Sequence, residues 1–117
     1  MDSILDSIKK MLGIDPTYTE FDTDLIILTS TVLSTLSQVA IKPNDGFKLT
    51  DKTQVWDDWF AIPDDMEMIK TYIYLRVKLI FDPPQSSSVM KAYEETKNEF
   101  EWRIRTAMEL HENEEVV

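Results

Sequence analysis

A chain of 117 residues with 22 acidic and 12 basic side chains, net charge −10, can build one core and is too short for two comfortable domains. Its 43% hydrophobic and 29% charged residues are a globular composition rather than a disordered one. The absence of cysteine excludes disulfides and thiolate metal sites, and two glycines are too few for a Gly-rich phosphate loop or a turn-dense β fold.

The acidity is spread along the chain. Ten acidic and five basic residues precede Pro63, and twelve and seven follow it, an excess of five carboxylates in each half. Proteins that grip DNA set Lys and Arg against phosphates and release counterions, so sequence-specific nucleic-acid binding is not expected. No apolar run approaches the 18 or so residues of a membrane span. The opening MDSILDSIKKMLG lacks the basic start and apolar stretch of a signal peptide, so neither a membrane nor secretion is expected.

The first predicted helix runs from about Asp2 to Leu12 and closes at Gly13. Ile4, Leu5, Ile8, Met11 and Leu12 form one stripe, with Asp2 and Asp6 toward the start and Lys9 and Lys10 toward the end, as the helix dipole favours. Its formal charge of zero argues against an anionic lipid surface. Docking through Ile4, Ile8 and Met11 onto the bundle or onto a neighbouring subunit is the expectation. A second helix begins near Asp22 or Thr23 and reaches about Ala40, with Phe21, Leu25, Leu28, Val32, Leu36 and Val39 at helical spacing. Its other side is Thr and Ser, which suits close contact with a neighbour as well as it suits a weakly polar surface.

From Ile41 to Asp51 the sequence reads as a loop or a small β-hairpin around Asn44-Asp45-Gly46. A short aromatic helix then carries Val55, Trp56, Trp59 and Phe60 and ends at Pro63. These aromatics either close one end of the core or anchor an interface, where Trp concentrates binding energy. The fourth segment, Asp64 to Phe81, has one apolar row at Ile69, Ile73, Val77 and Ile80 and a second at Tyr72, Leu75 and Leu79. An arc that wide predicts a central helix. Asp82-Pro83-Pro84 stops it. The last helix is capped by Ser86, Ser87 or Ser88 and runs to about Glu112, with Val89, Tyr93, Phe100, Ile104 and Met108 inward. Trp102 lies off that stripe, which favours an inter-subunit contact. Residues from about 107 onward are expected to fray.

Little in this inventory supports catalysis. His111 is the only histidine and sits in an acidic terminal stretch. No nucleophile elbow accompanies the many serines. The pairs Asp57-Asp58, Asp64-Asp65, Glu94-Glu95 and Glu114-Glu115 diverge by about 100° on a helix, and no EF-hand spacing is present. The reading is therefore an all-α bundle of four to five helices, a single domain over residues 1–117, with no catalytic residue, no cofactor and no metal. The candidate interface residues are Trp56, Trp59, Phe60, Trp102, Ile4, Ile8 and Met11.

The run TYIYLRVKLIFDPPQSSSVM, Thr71 to Met90, resembles the signature stretch of the phage head–tail connector (adaptor) proteins. SILDSIKKMLGI, the D-x-D-L-I-I start at Asp22 to Ile27 and DKTQVWDDWF appear in the same order as in that family, and the resemblance extends from Met1 to about Arg105. It implies a helical bundle that assembles as a ring in the virion of a phage or prophage. The ring would dock beneath the portal protein and receive the tail or a stopper protein, with the genome passing through its bore. An acidic bore would not hold DNA that must slide. The residues also allow a small acidic helical regulator that binds another protein as a dimer.

Overall fold

The computed structural model describes residues 3–60 and 65–116, with the side chains of the last helix described as far as Leu110. The expected Pro63 break and Asp64 cap, the His111 side chain and the Glu114-Glu115 pair lie outside the described residues. The first helix, α1 (Ile4–Leu12), begins where the Ser3 hydroxyl accepts the Asp6 N–H at 3.0 Å. It ends where Gly13 turns to φ 80°, so that the Gly13 N–H reaches the Lys10 carbonyl and the Ile14 N–H reaches that of Lys9. Gly is the residue that adopts this left-handed closure without a Cβ penalty.

The second helix, α2 (Asp22–Val39), buries Leu25, Thr29, Val32, Leu33 and Leu36. This stripe is rotated from the expected one: Phe21 and Val39 lie exposed and Thr29 and Leu33 lie inside. The chain then crosses residues 40–55 without forming a strand among the described residues, so the loop alternative holds and the hairpin does not. Asn44 explains why. Its backbone N–H donates to the Trp59 carbonyl, and its side-chain amide donates to the carbonyls of Asp57 and Asp58. These bonds tie the turn to the short helix α3 (Trp56–Trp59) instead of to an opposing strand. The nearest approach to pairing is an isolated bridge between Ser3 and Val55 beside the start of α1.

The fourth helix, α4 (Met66–Phe81), is central, as its wide apolar arc predicts: α1, α2 and the last helix all pack against it. Met66, Ile69, Tyr72, Ile73, Leu75 and Val77 are buried. Ile80, expected in the same row, is 58% exposed. The last helix, α5 (Ser87–Val116), continues beyond the expected end near Glu112. α4 is its main neighbour, and one neighbour covers only a narrow stripe. Ile104 and Met108 are therefore sealed, Tyr93 and Phe100 are half-buried, and Val89 is exposed rather than inward.

Candidate functional site

Among the described residues no three His, Cys, Asp or Glu side chains converge on a point that could hold a metal. Of the paired carboxylates, Asp58 accepts the Val55 N–H at 2.9 Å and so fixes the start of α3, while Asp57 faces solvent. Among the described residues no helix is long and apolar enough to cross a membrane.

What remains to be used is apolar surface. Ile4, Ile8, Trp56 and Trp59 are buried within the chain itself. Trp56 donates from Nε1 to the Ser7 hydroxyl at 3.1 Å, stands edge-on to Trp59, and carries the Lys70 ammonium 5.6 Å from its ring centroid. With those partners inside the subunit, the two indoles close the core between α1 and α3, and Trp59 also lines a hollow beside α2. Phe60 is half-buried against Trp59. Two candidates stay at the surface: Met11 at 39% exposure and Trp102 at 67%. Trp102 sits roughly 200° around α5 from the sealed Ile104, and that rotation directs it away from the body.

Two hollows flank α2. The larger, about 400 Å³, lies between its hydroxyl side and the following loop, lined by Ser30, Ser34, Ser37, Phe47, Lys48 and Trp59 among others. The smaller, about 310 Å³, lies where the first half of α2 meets the end of α4, lined by Asp24, Ile27, Leu28, Ile80 and Phe81. Phe21 stacks edge-on to Phe81 beside it, with ring centroids 5.3 Å apart, and Tyr18 joins Phe21 in turn. Ile27 at 59% exposure and Ile80 were not picked out from sequence as surface residues. The signal for Ile27 was its place two residues from Leu25, on the opposite side of the helix. Ile80 had no such signal, because it continues a buried row.

The buried charge was also missed. Lys9, read from sequence only as a cation toward the end of the first helix, is 1% exposed and uses all three of its donors. It reaches the Pro16 carbonyl at 3.0 Å, the Tyr18 carbonyl at 2.6 Å and Asp22 Oδ1 at 2.8 Å. It fastens α1 to the 13–21 connection and to the first turn of α2. Across the body, the sealed Tyr72 hydroxyl accepts from Arg76 at 3.0 Å and donates to Glu101 at 3.3 Å, joining α4 to α5. Burial raises this phenol's pKa above the usual value of 10.0; Glu101 adds to the rise and Arg76 opposes it.

This helical body leaves a large aromatic, Trp102, and several branched side chains at its surface. The chain belongs to the phage connector protein family, whose model matches residues 4–111 and so takes in α1 to α4 and most of α5. No curated protein and no solved structure matches it. The family is a structural one and implies a component of the phage particle that meets other head or tail parts.

Proposed function

We propose that the chain is a head–tail connector subunit that assembles as a ring between the portal and the tail or stopper, with the genome passing through the bore. The observation that carries this reading is the family match over residues 4–111. The exposed Ile27, Ile80 and Trp102 support it, because a ring needs different faces of one subunit to meet head to tail. So does the net charge of −10, since a bore without clustered Lys or Arg gives passing phosphates no sticking points. The same match favours a connector over a dimeric regulator.

Native mass spectrometry and negative-stain microscopy of the purified chain, alone and with portal, test the reading. The expected result is a closed ring in at least one of the two conditions. A chain that stays monomeric or stops at a dimer in both would overturn it.

A further inference from the structure

We infer that the ring closes by insertion of Trp102 of one subunit into the hollow between α2 and the 41–50 loop of the next. The inference rests on the ring reading and adds the two surfaces that meet. The first observation is placement. The hollow is lined by Ser30 and Ser34, each about 200° around α2 from the core residue Val32, and by Ser37, about 140° from it, so this wall lies on the outer side of α2. Trp102 likewise points away from α4 on the far side of α5. A concave face on one helix and a protruding indole on another, each turned from their shared neighbour, are two unlike patches on one subunit. A heterologous contact requires such a pair, and repeated at a fixed rotation it closes into a ring.

The second observation is fit. A hollow of about 400 Å³ has room for an indole, a group that buries roughly 150–250 Å². The serines on its α2 wall let an incoming helix approach closely, since side-chain size at a contact sets the interaxial distance. The fit extends along the helices. Seven residues separate Ser34 from Ile27 beside the smaller hollow, about 10 Å of helix, and eight separate Trp102 from the exposed Leu110, about 12 Å. An α5 lying antiparallel on the neighbour's α2 therefore brings Leu110 over Ile27 and Ile80 as Trp102 enters the larger hollow.

The third observation is charge. Lys48 lines the hollow and Lys42 stands exposed beside Pro43, which also lines it; residues 41–52 hold three lysines against two aspartates in a chain of net −10. On the Trp102 side of α5, Glu95, Glu99 and Glu109 stand with Lys91 and Arg105, an excess of one carboxylate. A stretch with one lysine in excess thus meets a helix face with one carboxylate in excess, which leans against a docking of like on like.

The test uses the full chain with Trp102→Ala and Ser34→Trp, the second filling the hollow from an exposed helix position. Each is expected to weaken assembly by about thirty-fold or more, as loss of a central aromatic contact does, with the thermal midpoint of the subunit unchanged. Mixed together, the two variants retain one intact contact per pair and should stop at a heterodimer. As a measurement independent of affinity, chains carrying Gln38→Cys and chains carrying Asn98→Cys, mixed under mild oxidation, should join by a disulfide. Those positions lie one turn from Ser34 and from Trp102 and become neighbours in the antiparallel docking. Wild-type rings together with undiminished Trp102→Ala rings and no disulfide would overturn the inference and leave the ring reading standing. Normal Trp102→Ala rings that bind portal poorly would overturn it in favour of a portal contact. A wild-type chain that forms no ring even with portal would end both.

Discussion

Lys9 and Thr29 show opposite treatments of a polar atom in the core. The Lys9 ammonium is matched donor for donor by Pro16, Tyr18 and Asp22, and the Asp22 carboxylate is itself 23% exposed. Lys9→Met keeps the packing of the stem but strands two carbonyls and a carboxylate. It should cost about 2–3 kcal/mol, read from the urea midpoint; a loss under about 0.5 kcal/mol would mean that water replaces the ammonium at no cost. Thr29 is the converse case, fully buried with a hydroxyl that has no hydrogen-bond partner among the described residues. Thr29→Val keeps the shape and removes the desolvated oxygen, so it should gain about 1 kcal/mol. Both residues sit where a sequence pattern misleads. Lys9 lies four residues after Leu5 and three before Leu12, on the edge of the apolar stripe, and a lysine there reads as a snorkelling surface residue. Its burial depends on where the 13–21 connection crosses, and a connection of irregular backbone leaves no period in the sequence.

The helices were legible wherever a single period governs an element. Gly13 and the Asp82-Pro83-Pro84 stop placed the ends of α1 and α4 because their backbone chemistry is local. The wide arc of α4 gave its central position for the same reason: an apolar surface on most sides needs neighbours on most sides. The inward stripe of α5 was only half legible, since Val89 and Ile104 differ in burial by how far α4 extends beside them and not by residue type. The hairpin failed because Asn44 found backbone carbonyls on α3. Beside the apolar packing of Ile104 and Met108, the Tyr72 hydroxyl links α4 to α5, and it makes a pH prediction. The folded phenol has its pKa raised above 10.0, mainly by burial, so folding holds its proton more tightly than the unfolded chain does. That contribution to stability is fully present below about pH 10 and is lost as pH rises through the folded value. Denaturation followed from about pH 8 to about pH 11 should show α5 loosening from α4 at the alkaline end. Tyr72→Phe should flatten that dependence, and an unchanged alkaline slope in the variant would assign it to another group.

At the scale of the proposed ring, charge and contact work against each other. Each copy carries −10, so bringing copies together raises like charge in one place, while the surfaces argued to meet are an indole, branched aliphatic side chains and serine hydroxyls. Repulsion between exposed charges reaches about 10 Å at 0.1 M salt and about 3 Å at 1 M, whereas apolar burial is not weakened by salt. Assembly should therefore strengthen as salt is added, and the few Lys48-to-Glu attractions at the rim contribute too little to reverse the trend. Sedimentation velocity at about 0.05 M and about 0.5 M sodium chloride reads this directly, with a larger ring fraction expected at the higher value. If the proposed bore lets phosphates slide, the protein should not retard duplex DNA even at the lower salt, where any Lys or Arg contacts would be strongest. Rings that dissolve as salt rises would place ion pairs, and not apolar surface, at the joint between subunits. Duplex retained at low salt and released at high salt would put cations in the bore that the overall charge conceals.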